Sequence, residues 1–238
     1  MHKAPPKRSY KWQIKCHIDI IAVYGIINQY YNISTVRILL KKGSEKMISH
    51  YYAMLFRMKY INRWALMRNN RTENLSEHSL EVAFIAHSLA VIENRRFGGD
   101  FNAERVALLA MFHDTPEIIT GDLPTPIKYY NRDIKNAYKE IEQNAINKLI
   151  SMIPEDLRQD FLSIYNDDDE KLKAIVKAAD KISALIKCVD EISTGNKEFE
   201  VAEKSTRKIV EEISLPSVKV FLNEFLPSFS LSLDEQGK

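Results

Sequence analysis

The sequence predicts an all-α protein, and two observations carry that prediction. Only 7 Gly and 8 Pro occur in 238 residues, and the stretches between them are rich in Ala, Leu, Ile, Glu and Lys, which favour helices over a turn-dense β fold. Apolar residues also recur at three- and four-residue steps behind capping residues, and no alternating strand pattern competes with them. We therefore expect a bundle around one core, because chains divide into several cores only beyond roughly 250 residues.

The first two predicted helices of the body have clear start signals. Ser76 is interpreted as a helix cap, followed by an apolar-rich run to about Ile92 and a stop near Gly98. Asn102 then opens a second helix over 103–112, whose apolar residues recur at helical spacing. The second helix is short and should be buried.

The next segment combines two turn signals with a long helix. Thr115 and Pro116 predict the N-cap and first-turn proline of one brief turn, and GDLPTP at 121–126 predicts a loop. Thr125 repeats the start signal, and the apolar pattern that follows predicts a long amphipathic helix ending near Pro154.

The remaining helices follow from acidic and glycine signals. Another helix begins after Pro154, and the acidic triplet 167–169 predicts the cap of a helix that reaches Thr194 and ends at Gly195. Further helical stretches are predicted over about 197–214 and 217–225.

The first 46 residues differ from the rest of the chain in charge. They hold nine Lys or Arg against Asp19 and Glu45, a net charge of +7, whereas residues 47–238 carry 25 basic and 30 acidic residues, or −5. Such a segment could be a basic arm for nucleic acid or an anionic membrane surface. Its charges form no clear helical stripe, so we favour a mis-assigned start with Met47 as the true first residue. Residues 47–238 are then one domain, and a native amino terminus at Met1, found by mass spectrometry, would contradict this.

Composition also limits the compartment and the partners. Cys16 and Cys188 form no motif and lie far apart in the sequence, so neither a disulfide framework nor a thiolate zinc site is implied. The apolar run 18–27 contains Asp19 and is shorter than the roughly 20 residues that span a bilayer. We expect a cytoplasmic protein with no membrane and no nucleic-acid partner.

Four residues on three predicted helices have the chemistry of a metal site. His113 and Asp114 offer one nitrogen and one oxygen, His78 offers a second imidazole, and Asp180 lies in an otherwise apolar helix face, where an unpaired charge is costly. Two His and two Asp form a mixed site suited to borderline ions such as Co, Mn, Fe or Zn. His87 lies nine residues after His78, about half a turn out of phase, so it is interpreted as structural.

Spacing alone leaves other interpretations open. A His-Asp dipeptide is common by chance, Asp180 could cap a helix, pair with a lysine or face solvent, and Glu117 could simply favour its helix N-terminus.

Longer strings resemble a known family. The order of a His, a His-Asp pair and a distant Asp resembles the HD-superfamily signature. INRWALMRN at 61–69, RTENLSEHSLEVA at 71–83, RFGGDFNAERVALLAMFHD at 96–114 and TGDLPTPIKYYN at 120–131 are similar to the YfbR-type 5′-deoxynucleotidases. The resemblance extends from about Met47 to PSFSLSLDE at 227–235, roughly four-fifths of the chain.

The resemblance implies a fold, a reaction and a cofactor. The fold is an HD-domain helical bundle with the metal site in its core. The reaction is metal-dependent hydrolysis of deoxyribonucleoside 5′-monophosphates by a phosphoric monoester hydrolase. His78, His113, Asp114 and Asp180 would hold a divalent cation, with Co²⁺ expected first and Mn²⁺, Fe²⁺, Zn²⁺ or Cu²⁺ as alternatives. A homodimer is the expected assembly.

The resemblance also implies roles in substrate binding. Glu117 would relay a proton with help from Asp122, Arg63 would orient the phosphate, and Trp64 would disfavour a ribose 2′-hydroxyl unless it is merely a core aromatic. The residues implied to contact the substrate are Arg63, Trp64, His78, Asp114, Asp122, Leu123, Pro124, Thr125 and Asp180. No further element is expected to read the base.

Two other functions remain open. One is an HD phosphohydrolase that acts on a nucleoside triphosphate, an alarmone or a cyclic nucleotide, against which the Arg63-Trp64 pair and the short GDLPTP loop argue. The other is a signalling module that has lost catalysis and whose basic arm binds nucleic acid. The presence of all four metal-ligand candidates argues against it.

Overall fold

The computed structural model describes residues 48–128 and 130–237, within which all regular secondary structure is helical. The α-helices are α1 Tyr51–Leu55, α2 Leu75–Arg96, α3 Ala103–Phe112, α4 Glu117–Thr120, α5 Thr125–Lys128, α6 Arg132–Ser151, α7 Arg158–Tyr165, α8 Glu170–Ser193, α9 Glu200–Glu211, α10 Pro216–Glu224 and α11 Leu233–Gln236. Short 3₁₀ helices cover Phe56–Tyr60, Glu155–Leu157, Lys197–Phe199 and Leu226–Ser230. The all-α prediction is confirmed. The predictions on residues 1–46, the apolar run 18–27 and the Met47 start lie outside the described residues.

Helices α2, α3 and α8 build the core, with α9 and α10 packed against it. Their inward faces are mainly apolar, as at Leu89, Val106 and Ile182, each with none of its surface exposed. Truncating such a side chain to Ala typically costs about 2–5 kcal/mol. A second, smaller cluster joins Tyr51 of α1 to Leu149 of α6. Across the described ranges, no helix combines the length and apolar character that crossing a bilayer requires.

The start of α2 is set by Asn74, not by Ser76 as predicted. The Asn74 side chain accepts hydrogen bonds from the amides of Ser76 and Glu77, and the Glu77 carboxylate accepts the Asn74 amide in return. This reciprocal capping satisfies amides that have no partner inside the helix. It also fixes where the first turn of α2 points, which matters because His78 lies in that turn.

Helix α3 begins and ends where the sequence predicts. Asn102 caps it by accepting the Arg105 amide at 2.8 Å, and His113 stands directly at its end. The prediction that Thr115 caps the next turn is wrong, because the Thr115 hydroxyl instead donates to the Phe112 carbonyl at 2.8 Å. The residue that precedes α4 is Pro116, and no side chain caps it.

The long amphipathic helix starts later than predicted. Thr125 opens only the four-residue α5, and α6 begins separately at Arg132, where Asn131 accepts the Ile134 amide at 2.8 Å. Helix α8 matches its prediction, since Asp169 caps it through the amides of Lys171 and Leu172. It ends before Gly195, whose φ of +87° few other residues adopt.

Candidate metal centre

Three core helices bring His78, His113 and Asp180 together. His78 is in the first turn of α2, His113 ends α3, and Asp180 lies midway along α8. One ring nitrogen of each histidine and one carboxylate oxygen of Asp180 all lie within 4.8 Å of one another. The distance from His78 Nε2 to Asp180 Oδ1 is 3.2 Å. Residues far apart in the sequence therefore converge as the sequence predicts.

Asp114 joins the same group. Its Oδ2 lies 3.1 Å from His113 Nε2 and 3.5 Å from His78 Nε2. His113 Nδ1 is 2.6 Å from the Ala110 carbonyl oxygen. Because a carbonyl can only accept, Nδ1 carries a proton, and Nε2 is left to face the carboxylates.

The donor set fits a divalent cation. His78 Nε2 and His113 Nε2 are buried and, within the described residues, have no hydrogen-bond partner. Buried polar atoms are normally satisfied, so two such nitrogens facing two carboxylates call for a positively charged partner. Two nitrogens and two carboxylates suit borderline metals such as Zn, Co, Mn or Fe.

The electrostatics of the group also favour positive charge. Burial lowers the pKa of His113, but the charges of Asp114 and Asp180 outweigh burial and raise it. Burial raises the pKa of Asp180, but His78, Lys181 and His113 outweigh it and hold that pKa well below its usual range. The two carboxylates therefore stay ionised beside the imidazoles.

Arg63 lies at the edge of this group. Its Nη1 is 3.5 Å from Asp114 Oδ2, and its Nε donates to Glu73 Oε1 at 3.1 Å. The guanidinium is largely buried, with 13% of the side chain exposed. A planar cation held next to the metal-ligand candidates can bind an anionic oxygen there.

Glu117 lies three residues after Asp114, in α4, and is buried. Burial, followed by the charges of Asp114 and Asp122, raises its pKa to about 8, against the opposing effect of Lys128 and Arg63. Its Oε2 has no hydrogen-bond partner among the described residues. Burial also raises the pKa of Asp122, which Arg63 partly offsets.

Lys128 is a neighbour of Glu117 that was not among the predicted site residues. Its Nζ lies 3.9 Å from Glu117 Oε1, 3.0 Å from Glu142 Oε1 and 4.4 Å from the centre of the Tyr138 ring. Two residues of α6, Glu142 and Tyr138, therefore hold Lys128 near Glu117.

Trp64 has an unusual backbone. Its φ is +55°, the only positive value outside glycine in the described part of the chain, and such a conformation costs on the order of 1–3 kcal/mol in a non-glycine residue. Its ring packs on Phe199 at 5.4 Å between centroids. The indole therefore has a packing contact with Phe199, which is compatible both with a core role and with a role in substrate selection.

The remaining predicted substrate residues lie in one segment. Asp122, Leu123 and Pro124 form the half-buried loop between α4 and α5, and Gly121 turns the chain into it with a φ of +74°. Thr125 begins α5, but the prediction for its side chain lies outside what is described. Their contacts with substrate remain predictions.

His87 lies outside the cluster as predicted, whereas Glu73 contacts the cluster and was not predicted. His87 is exposed on α2 and does not join the cluster, in agreement with its helical phase. Glu73 was missed, although it is 7% exposed and contacts both Arg63 and His78. An acidic residue just ahead of a helix cap usually indicates nothing beyond helix initiation, so no local signal marked it.

Comparison with protein families gives a match over residues 50–229 to a model described as 5′-deoxynucleotidase YfbR-like. A 5′-deoxynucleotidase of Pectobacterium atrosepticum is 54% identical over 189 residues, which is 79% of this chain and 95% of that protein. A 5′-deoxynucleotidase of Yersinia pestis is 54% identical over 190 residues, 79% of this chain and 96% of the relative.

Solved structures share the fold. An HD-domain phosphohydrolase from Listeria innocua superposes with a TM-score of 0.66 at 25% identity, covering 79% of this chain and 92% of that one. The cyanophage S-2L HD phosphohydrolase DatZ, solved with dA and one catalytic Zn²⁺, gives 0.52 at 16% identity and covers 75% of this chain and 95% of that one. The HD-domain fold expected from the sequence is confirmed, and the chain belongs to the YfbR-like family of 5′-deoxynucleotidases.

Proposed function

We propose that this protein removes the 5′-phosphate from deoxyribonucleoside 5′-monophosphates with a divalent cation held by His78, His113, Asp114 and Asp180. The observation that carries the proposal is the pair of buried, unpartnered Nε2 atoms that face two carboxylates among the described residues. Relatives that are 54% identical are named 5′-deoxynucleotidases, which supports the substrate class.

In this proposal Arg63 binds the phosphate. Its guanidinium is held from one side by Glu73, which leaves nitrogen donors directed toward Asp114 and the metal-ligand group. A planar donor pair matches two phosphate oxygens. When bound, a divalent cation would acidify water and neutralise charge on the phosphate.

Glu117 moves the proton. Its buried Oε2 has no hydrogen-bond partner within the described ranges, so a proton can be held there. Lys128 stands 3.9 Å from Oε1 and keeps the carboxyl group oriented. Asp122 assists from the loop that follows α4. A carboxyl group with these neighbours suits proton transfer near neutral pH.

The sugar lies between Trp64 and the loop of Asp122, Leu123, Pro124 and Thr125. The indole is held against Phe199, so it cannot easily withdraw from a 2′-hydroxyl. Preference for deoxyribose over ribose follows from that rigidity.

Three finer proposals accompany this function. We propose Co²⁺ as the metal, a homodimer as the assembly and the cytoplasm as the compartment. The mixed nitrogen and oxygen donor set is compatible with Co²⁺ and also with Mn²⁺, Fe²⁺, Zn²⁺ or Cu²⁺. Metal analysis of protein purified without added metal, together with sedimentation of the same sample, tests the first two.

A phosphate-release panel tests the function. Full-length protein stripped with a chelator is assayed with deoxy- and ribonucleoside 5′-monophosphates, a 3′-monophosphate, a triphosphate and a cyclic nucleotide, each with Co²⁺, Mn²⁺ or no metal. Release from deoxyribonucleoside 5′-monophosphates alone, and only with metal, is expected. Faster release from the triphosphate or the cyclic nucleotide would indicate a different HD phosphohydrolase activity. No release from any compound would contradict the proposal that the protein is a phosphatase.

A further inference from the structure

Glu73 is bound to Arg63 through both its backbone and its side chain. The Arg63 amide donates to the Glu73 carbonyl at 2.9 Å, and Arg63 Nε donates to Glu73 Oε1 at 3.1 Å. The neighbouring residues Asn62 and Asn74 form an antiparallel bridge. The segment that carries Arg63 is thus fixed alongside the residues that enter α2.

The same carboxylate oxygen reaches the metal-ligand group. Glu73 Oε1 lies 3.2 Å from His78 Nδ1, and the His78 ring is fully buried. If Nε2 of His78 faces a cation, its proton must be on Nδ1, which then needs an acceptor. A charged carboxylate is a stronger acceptor than the hydroxyl of Ser183, which lies at the same 3.2 Å from Nδ1.

Oε1 of Glu73 therefore contacts both Arg63, the proposed phosphate-binding side chain, and His78, a proposed metal ligand. We propose that Glu73 is a positioning residue, which orients the His78 imidazole for the metal and holds the Arg63 guanidinium at a fixed distance from it. The proposal rests on the proposed function for the substrate, but its metal-binding part does not need substrate.

A merely structural role makes a different prediction. If Glu73 only connected the two segments, its backbone contact with Arg63 would persist in a Glu73→Gln variant, and the metal would bind as before. If Glu73 orients both side chains, that variant loses the charged acceptor at Nδ1 and the charge partner of Nε, while its volume stays nearly the same.

The first experiment measures metal affinity. Chelator-stripped full-length protein is titrated with Mn²⁺ in competition with a chromophoric chelator. Glu73→Gln is expected to bind Mn²⁺ about 10–100-fold more weakly, the usual effect of losing a carboxylate behind a ligating histidine. Ser183→Ala removes the other Nδ1 neighbour, and Glu81→Gln removes an exposed charge from α2, the helix that carries His78. Both should bind Mn²⁺ nearly as tightly as the parent protein does, because Glu73 still faces Nδ1 in each variant.

The second experiment measures kinetics at saturating Mn²⁺ with a deoxyribonucleoside 5′-monophosphate. Glu73→Gln should raise KM roughly tenfold or more and lower kcat, because the loosened Arg63 no longer receives the phosphate in place. Glu73→Asp keeps the charge and should recover part of both losses. In an Arg63→Ala background, the KM effect of Glu73→Gln should largely disappear, because the two changes act on the same contact.

The outcomes separate the two proposals. Unchanged Mn²⁺ affinity and unchanged KM in a folded Glu73→Gln protein would overturn the role of Glu73, as would an equal loss in Ser183→Ala. If the parent protein releases no phosphate, the proposed function fails, and the Mn²⁺ titration still decides whether Glu73 supports His78.

Discussion

Lys187 and Glu191 form an ion pair one turn apart on α8, with 7% and 1% of their side chains exposed. The Glu191 carboxylate also accepts the amides of Asn70 at 2.8 Å and Arg71 at 3.1 Å, and the side-chain amide of Asn196 at 2.8 Å. This single carboxylate ties the segment that leads into Glu73 and α2 to the helix that carries Asp180. The position of the segment that leads into Glu73 and α2 therefore depends on a buried charge.

That dependence predicts acid sensitivity. Burial would raise the pKa of Glu191, but the hydrogen bonds from Lys187, Asn196 and the two backbone amides lower it to about 2. A lowered pKa in the folded state contributes stability that is complete above the unfolded value, near 4.5, and is lost as the pH falls toward 2. Glu191→Gln should be less stable at pH 7 by about 3 kcal/mol.

Urea unfolding at a series of pH values measures this effect. Between pH 4.5 and 2 the parent protein should lose more stability than Glu191→Gln does, since the variant has no charge to lose there. Glu211→Gln, which changes an exposed residue of α9, should follow the parent curve. Parallel acid curves for the parent and Glu191→Gln would contradict the assignment.

Asp114→Asn tests the metal-ligand group. The change keeps the shape of the side chain but removes the charge that lies 3.1 Å from His113 Nε2 and 3.5 Å from His78 Nε2. Phosphate release should fall to background, and the metal content after dialysis should drop, because a neutral amide oxygen binds a cation far more weakly than a carboxylate oxygen does. His113→Ala should do the same. Full turnover in a folded variant would contradict the assignment of these residues as metal ligands.

Arg63→Lys should not restore what Arg63→Ala loses. A lysine supplies one point charge where the guanidinium supplies paired donors, and it cannot keep the Glu73 contact while reaching phosphate. Both variants should raise KM by about 10–100-fold, as expected for loss of a charge-assisted hydrogen bond. Equal KM values for Arg63→Lys and the parent would mean that simple charge is enough.

Trp64→Ala should narrow the ratio of deoxyribonucleotide to ribonucleotide activity. The matched control is Phe199→Leu, which reduces the ring contact at 5.4 Å but leaves the indole in place. If Trp64 selects the sugar, only Trp64→Ala changes the ratio of kcat/KM values. If both variants merely lower the melting temperature and leave the ratio alone, the indole is a packing residue.

Local signals explain which helices were predicted well. Asn102 and Asp169 cap helices through their own neighbours, so the starts of α3 and α8 could be read from the sequence. Ser76 was wrong as the cap of α2 because Asn74 and Glu77 also satisfy the capping pattern, three residues apart. The break between α5 and α6 was missed because the apolar period continues through it while Asn131 starts a new helix.

The candidate site divides in the same way. His78, His113, Asp114 and Asp180 occur in a recognisable order, so the sequence predicted their convergence. Glu73 has no such pattern, because its burial follows from contacts with Arg63 ten residues earlier. Lys128 meets Glu117 only because α6 packs beside α4, a tertiary relationship that helical periodicity does not contain.

Comparing Glu117 with Glu142 distinguishes proton transfer by Glu117 from an effect of Lys128, because both carboxylates lie near Lys128 Nζ, at 3.9 and 3.0 Å. Burial and then the charge of Asp114 raise the pKa of Glu117, whose amide also donates to the Asp114 carbonyl at 3.0 Å. Glu117→Gln should lower kcat by roughly 10²–10⁴-fold, the usual contribution of a positioned proton-transfer group, while KM and metal affinity change little. Glu142→Gln, measured in the same assay, should keep kcat within a few-fold of the parent, because it loosens Lys128 without removing a proton carrier. Equal losses in the two variants would mean that Lys128, and not a proton on Glu117, accounts for the effect.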